Sequence, residues 1–285
     1  MLSPRDTSMG LTIDSRLRLN NGVEIPVLGF GTLHMQGEAV QKAIQWALDA
    51  GYRHIDTAKA YGNENDVGIA VKRSGLKREE LFITTKLWNE DHGYDNTLNA
   101  LNRSLKDLGM SYVDLYLIHW PVSGRRQETW KAMERLLGEG KARSIGVSNF
   151  TIRHLEELQS NPGAVPVVNQ VEFTPFLYQK ALQQYCETNG TRIEAWAPLT
   201  RGRRFDNPVV ADIAVRHGKT PAQILLRWGL QHGVIVLPKS SNQERITENA
   251  AIFDFNISDE EMAKLDGLNE DLRTSGWDPE SDQFK

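Results

Sequence analysis

The sequence predicts an α/β protein built as a single (β/α)8 barrel behind a short β-hairpin, and three observations point there. Short apolar runs alternate with stretches of helical spacing, eight runs in about 250 residues. The runs are almost continuously apolar, as strands covered on both faces should be. Polar and titratable groups gather where the runs end, the rim on which a parallel barrel assembles its site. An open doubly wound sheet is the alternative that periodicity leaves standing.

The elements follow in order. Leu17-Arg18-Leu19 alternates, Asn21-Gly22 supplies a turn with positive φ, and Val23-Glu24-Ile25 returns as the second hairpin strand. Barrel strands are expected at residues 27–31, 52–56, 81–86, 113–119, 142–148, 167–172, 192–196 and 234–238. Val40, Ile44, Ala47 and Leu48 form a helical stripe closed by Gly51. Leu98, Leu101, Leu105 and Leu108 form a second, with Asp95 as N-cap and Gly109 as its end. Trp130, Met133 and Leu137 form a third, stopped at Gly138. No Pro/Gly/Ser-rich linker divides the chain, so residues 1–14 read as a tail and 15–285 as one barrel.

Composition excludes several classes. With 285 residues, 40% hydrophobic and 25% charged, the chain has enough apolar mass to fold and too balanced a charge for disorder. Its net charge of -4 gives nucleic acid no electrostatic hold. No apolar run approaches the ~20 residues of a membrane span. The first residues mix Arg5, Asp6 and Asp14 with small polar groups and carry no apolar secretion segment. One cysteine, Cys186, permits no internal disulfide, which fits the cytoplasm.

The strand ends carry the chemistry: Asp56, Lys86, His119, Ser148-Asn149, Gln170, Glu172, Trp196 and Lys239-Ser240. Unpaired buried charge is costly, so convergence of such groups on one rim suggests a site. Asp56 and Lys86 come from adjacent strands and can pair. Tyr61 follows at once in Ala60-Tyr61-Gly62-Asn63-Glu64. An ammonium beside its phenol should lower the phenol pKa and make it a proton donor near neutrality. His119 can orient the same substrate oxygen. No nucleophile–base pair of a hydrolase is present, and no metal-ligand set is expected. Each residue also has a plainer reading, Tyr61 as packing, His119 as a rim histidine, Asp56–Lys86 as a structural ion pair.

Gly29-Phe30-Gly31 runs into Thr32-Leu33-His34, so the dinucleotide glycine fingerprint is incomplete. The last strand instead leads into Lys239-Ser240-Ser241, with Arg245 inside the next helix. These residues make either an anion site or a solvated basic loop.

With those residues in hand, the chain resembles the aldo-keto reductases from about Leu17 to Leu268. The matching segments include Gly51-Tyr52-Arg53-His54-Ile55-Asp56-Thr57-Ala58, Ala60-Tyr61-Gly62-Asn63-Glu64 and Thr85-Lys86-Leu87-Trp88. They continue with Leu117-Ile118-His119-Trp120-Pro121, Gly146-Val147-Ser148-Asn149-Phe150 and Asn169-Gln170-Val171-Glu172. Ala195-Trp196-Ala197-Pro198-Leu199, Pro238-Lys239-Ser240 and Arg245-Ile246-Thr247-Glu248-Asn249 complete the set.

The resemblance implies a (β/α)8 barrel that binds NADP(H) without a Rossmann domain. It implies a catalytic set of Asp56, Tyr61, Lys86 and His119, with Tyr61 the general acid. Ser148, Asn149 and Gln170 would hold the nicotinamide carboxamide, and Trp196 would stack on the ring where many relatives carry Tyr. Lys239, Ser240 and Arg245 would clamp the 2′-phosphate, Glu248 and Asn249 would meet the adenine, and Thr32, Asp56 and Leu199 would add cofactor contacts. The two cations argue for NADPH over NADH, since an NAD site would show an acidic group to the ribose.

Leu33, Trp88, His119, Trp120 and Trp277 are the expected substrate contacts. The loop at 122–127 and the tail past Leu268 are short. Within the family that suggests an open pocket for small aldehydes, ketones, dicarbonyls such as methylglyoxal, or keto-sugars. Arg201, Arg203 and Arg204 would cover the pyrophosphate, attract acidic substrates, or simply be solvated. The family habit is a monomer, with no nucleic-acid or membrane partner. Two rivals remain: an NADPH-binding partner subunit with little turnover, and a barrel aldolase or isomerase using Lys86 as a Schiff base.

Overall fold

Eight short strands hydrogen-bond in parallel around a closed ring in a computed structural model that describes residues 10–281. Most of the expected tail, residues 1–9, lies outside the described residues. The strands are β3 (Phe30–Gly31), β4 (His54–Asp56), β5 (Phe82–Leu87), β6 (Leu115–Ile118), β7 (Ile145–Ser148), β8 (Val168–Glu172), β9 (Arg192–Trp196) and β10 (Ile235–Leu237). Each pairs with its sequence neighbour. Leu28 bridges Val236 across the seam, where Gly29 N donates to Val236 O at 2.9 Å and Gly31 N to Pro238 O at 3.1 Å. That seam rules out the open sheet.

Ahead of the barrel, β1 (Arg16–Arg18) and β2 (Glu24–Pro26) form the antiparallel hairpin. Its turn differs from the expected Asn-Gly pair, because only Gly22 has positive φ, at 87°. Gly22 N bonds Leu19 O at 3.0 Å and Leu19 N bonds Val23 O at 2.8 Å, so the glycine occupies a bulge after a three-residue connection. Leu19 and Ile25 pack with Phe82, Leu115, Val167 and Ile235 near the N-terminal ends of the strands. The hairpin therefore plugs that mouth with apolar side chains and leaves the C-terminal mouth for chemistry.

The helices are α1 (Gly37–Asp49), α2 (Glu64–Arg73), α3 (Tyr94–Leu108), α4 (Arg126–Gly138), α5 (Ile152–Gln159), α6 (Lys180–Thr188), α7 (Pro208–His217), α8 (Pro221–Gln231), α9 (Gln243–Ala250) and α10 (Asp259–Asp266). Two are additions to the eight-fold repeat: α7 precedes α8 in one crossover, and α10 follows α9. Val40, Ile44, Ala47 and Leu48 are buried, as the stripe predicts. Asp95 does not cap α3; Gly93 stands at the cap and Asp95 lies in the first turn, where a carboxylate still favours the helix dipole. In the third stripe Trp130 and Met133 are buried as expected, Leu136 rather than Leu137 is the third buried member, and α4 ends at Gly138. No helix among the described residues is long and apolar enough to cross a membrane.

One close approach has a measurable consequence. A Cβ at Gly68, in α2, would sit 2.2 Å from the carbonyl oxygen of Leu108 at the end of α3. Alanine would gain up to about 1 kcal/mol of helix propensity, but overpacking against backbone costs about 1–3 kcal/mol. Gly68→Ala should therefore lower the urea midpoint without changing the slope of the transition, and an unchanged or raised midpoint would contradict this packing.

Candidate active site

The barrel register assembles the polar end. Asp56 pairs with Thr84, and Lys86 lies two residues further along β5 on the same face. Lys86 Nζ reaches Asp56 Oδ1 at 2.6 Å, Thr57 O at 2.9 Å and Tyr61 Oη at 3.2 Å. The ammonium has three hydrogens and no lone pair, so these three acceptors use it completely. Tyr61 sits on a short 3-10 turn, Lys59–Tyr61. Behind it the buried Asn63 ties two loops together, donating to Thr32 O at 3.0 Å and Met35 O at 2.8 Å and accepting from Thr57 Oγ1 at 2.6 Å. His119 follows β6, its ring edge-on to Tyr61 with 5.8 Å between centroids and to Trp88 with 5.2 Å.

Electrostatics corrects one expectation. Burial pushes the Tyr61 pKa above its usual value, and the opposing pull of Lys86 does not cancel it. The resting phenol is thus held protonated rather than acidified. Burial alone would depress the Lys86 pKa, but Asp56 and then Tyr61 outweigh it and hold the ammonium charged. For His119, burial and then Lys86 drive the pKa well below the ordinary histidine value, so the imidazole is neutral.

Beneath this group lies a polar layer that the sequence reading largely missed. Gln170 Nε2 donates to Asp56 Oδ2 at 2.8 Å and to Glu194 Oε2 at 2.7 Å. Glu194 and His54 are both fully buried. The available clue was a lone carboxylate in Ile193-Glu194-Ala195-Trp196, in phase with Trp196.

A cavity of about 1180 Å³ opens above. It is lined by the expected catalytic, cofactor and substrate residues except Lys86, which lies under its floor; Glu172, another expected strand end, does not line it. Ser148 Oγ donates to Gln170 O at 2.7 Å. Asn149, at φ 63°, spends both amide hydrogens on His119 O and Ser148 Oγ, at 3.0 and 3.1 Å. Its Oδ1 accepts the Trp196 indole N–H at 3.0 Å, which fixes the tilt of that ring.

At one end Trp88, Trp120, Trp277 and Leu33 form an aromatic and apolar wall. The tail that carries Trp277 is anchored by Glu172, which accepts Thr274 N at 2.7 Å and Ser275 Oγ at 3.1 Å. Trp277 thereby lies 5.2 Å from Trp120, centroid to centroid. His34, Phe205, Thr220 and Ser275 also line the cavity and carry no sequence pattern that would single them out.

At the other end stand Lys239, Ser240, Arg245, Glu248 and Asn249 around the start of α9, where Asn242 caps the helix by accepting Arg245 N at 2.9 Å. Lys239 and Arg245 are exposed to the cavity and tied to no carboxylate among the described residues. Glu248 is engaged, accepting from Thr220 Oγ1 at 2.7 Å. The three arginines after β9 separate: Arg201 lines the cavity, Arg204 pairs with Glu270 at 2.8 Å, and Arg203 is exposed and lines no part of it.

Known proteins resemble this chain over most of its length. The model of the Aldo/keto reductase family matches residues 27–270. The chain is 50% identical to the glyoxal reductase of Bacillus subtilis (strain 168), an alignment covering 93% of this chain and 96% of that one. It is 45% identical to the methylglyoxal reductase DkgA of Escherichia coli (strain K12), over 94% and 97% of the two chains. The crystal structure of a Bombyx mori aldo-keto reductase in complex with NADP superimposes with a TM-score of 0.87 at 38% identity, covering 93% of this chain and 95% of that one.

The buried, neutral state of His119 can be read directly. Its ring proton resonances should stay flat between about pH 5 and 8, where an ordinary histidine titrates. A titration step in that window, lost in His119→Asn, would refute it.

Proposed function

The chain belongs to the aldo/keto reductase family and is an oxidoreductase of carbonyl compounds, and on that premise we propose that it reduces small aldehydes, ketones and dicarbonyls to alcohols with NADPH, Tyr61 giving the proton. The observation that carries the reading is the three-acceptor environment of Lys86. Because Lys86 can only donate, the Tyr61 oxygen accepts from it at 3.2 Å, and the phenol's own hydrogen is left to point elsewhere. The cavity is the open direction, since Tyr61 lines it.

Bound NADPH would supply the hydride to the carbonyl carbon. The chain supplies the rest. Tyr61 donates its O–H to the carbonyl oxygen and transfers the proton as negative charge gathers there, so hydride plus proton convert C=O to CH–OH. Burial keeps the phenol protonated until that moment. The Lys86 ammonium, kept charged by Asp56, then stabilises the tyrosinate left behind.

His119 Nδ1 is buried without a hydrogen-bond partner among the described residues, and an orphaned lone pair costs less than an orphaned N–H. The ring hydrogen therefore belongs on Nε2, from which a neutral imidazole can donate to the same oxygen. Trp88, Trp120 and Trp277 would wall off water around a small substrate, and the relatives named for glyoxal and methylglyoxal support that size class.

The residues suit the dinucleotide. Lys239 and Arg245 are cations with no carboxylate partner among the described residues, beside the N-terminus of a capped helix. They would hold the 2′-phosphate, with Ser240 between them. Trp196 offers a ring of fixed tilt, and Gln170, its amide N–H groups committed to carboxylates, keeps its carbonyl oxygen for a carboxamide N–H. Ser148 and Asn149 would complete that contact, with Thr32, Leu199, Glu248 and Asn249 along the remaining length.

Two measurements check this. Tyr61→Phe should reduce kcat with glyoxal by about 10²–10⁴-fold while NADPH still quenches tryptophan fluorescence with near wild-type affinity; retained turnover would refute the acid assignment. Arg245→Gln removes a charge-assisted contact of about 1.5–3 kcal/mol, so kcat/KM for NADPH should fall about tenfold or more with that for NADH little changed. Equal losses with both cofactors would place the 2′-phosphate elsewhere.

A further inference from the structure

Inside the barrel two carboxylates share one amide. Both hydrogens of Gln170 Nε2 are committed, one to Asp56 Oδ2 at 2.8 Å and one to Glu194 Oε2 at 2.7 Å. Lys86 balances Asp56 at 2.6 Å. Glu194 has no such counter-charge: its Oε1 faces His54 Nδ1 at 3.8 Å, and neither atom has a hydrogen-bond partner among the described residues. His54 Nε2 is 3.0 Å from Thr84 Oγ1.

The groups facing Glu194 come from every strand around it. They are Asp56 and His54 from β4, Lys86 from β5 and Gln170 from β8, while β10 presents Ile235 at the paired position. At the margins Glu194 itself acts on Tyr61, and Arg16 acts on His54. A carboxylate at 194 would be a second dry anion beside Asp56, and an imidazolium at 54 a second dry cation beside Lys86. A neutral pair avoids both. The acid hydrogen then points at the Nδ1 lone pair, and His54 Nε2–H donates to Thr84.

We infer that Glu194 is a neutral carboxylic acid and a positioning residue for the reductase site, holding Asp56 through Gln170 and closing down turnover when it loses its proton. The inference rests on the reading of Tyr61 as proton donor. The titration behaviour agrees with the geometry. Burial, and next Asp56, push Glu194 up to about 8, while burial and then Lys86 press His54 down to about 3. An ionised Glu194 adds negative charge that makes the Tyr61 phenol harder to deprotonate, so reduction slows as pH rises.

The test compares kcat against pH for NADPH-dependent glyoxal reduction by the wild type and Glu194→Gln. Glutamine keeps the neutral form's pattern, its carbonyl accepting from Gln170 and its N–H facing His54. Wild-type kcat should fall about tenfold between about pH 7 and pH 9, whereas E194Q should match it near pH 7 and stay flat. Superimposable profiles overturn the inference.

Infrared spectroscopy of the wild type provides a second arm that needs no turnover. A protonated-carboxyl C=O band should be present at neutral pH, disappear in step with the alkaline titration and be missing from E194Q. If E194Q does not fold, coincidence of the band's loss with the fall in kcat supports the proposal, and a wild-type spectrum without such a titrating band overturns it. A chain that reduces no aldehyde yet shows the band would sink the reductase reading and leave Glu194 neutral.

Discussion

The contact between Lys86 and Asp56 is the constraint on which the rest of the site depends. Taking both charges out of water costs several kcal/mol each, and a buried pair of this kind is rarely worth its place for stability alone. Here the 2.6 Å contact, the Thr57 carbonyl and the Tyr61 oxygen together use all three ammonium hydrogens. That saturation fixes the orientation of the phenol. It also dictates the layer below, because the second oxygen of Asp56 must be satisfied by Gln170, and Gln170's other hydrogen then demands an acceptor, which is Glu194.

Two opposing effects act on the phenol. A neighbouring ammonium favours the phenolate, while removal of water disfavours it, and here removal of water is the larger. The two do not conflict in a general acid. In the role proposed for Tyr61 the resting group must keep its proton and the ammonium must act once negative charge has formed on the oxygen, so burial would govern the ground state and Lys86 the product side of the transfer.

Much of this was legible in the sequence, and for a physical reason. Strands buried on both faces leave few polar residues, so Asp56, Lys86, His119 and Gln170 stand out at strand ends, and the cavity does gather all of them but Lys86, which lies beneath its floor. What was not legible depended on depth or phase. The direction of the Tyr61 shift depends on how dry the closed barrel is, which residue types do not encode. Leu136 against Leu137 differs by one step of helical phase, and Gly93 against Asp95 by where the chain enters α3. Glu194 went unnoticed because it lies inside a strand, where a single carboxylate has no motif. Glu172 stood out as a strand end, yet its work is to anchor Thr274 and Ser275, a hundred residues away in sequence.

The distribution of strain adds a marker independent of motif. Among the described residues six non-glycine positions have positive φ, and four of them, His34, Asn149, Ala197 and Arg201, line the cavity. Such conformations cost on the order of 1–3 kcal/mol each and persist only where the surroundings over-determine them. The opposite mouth has no such burden: it is plugged by a hairpin whose Leu19 and Ile25 bury apolar surface against the strand starts. Stability is therefore concentrated at the plugged end and in the helix–strand interfaces, while the open end holds dry charge, a shared amide and left-handed turns. Conditions so unfavourable to folding, gathered at one rim, support the proposal that the chemistry belongs there.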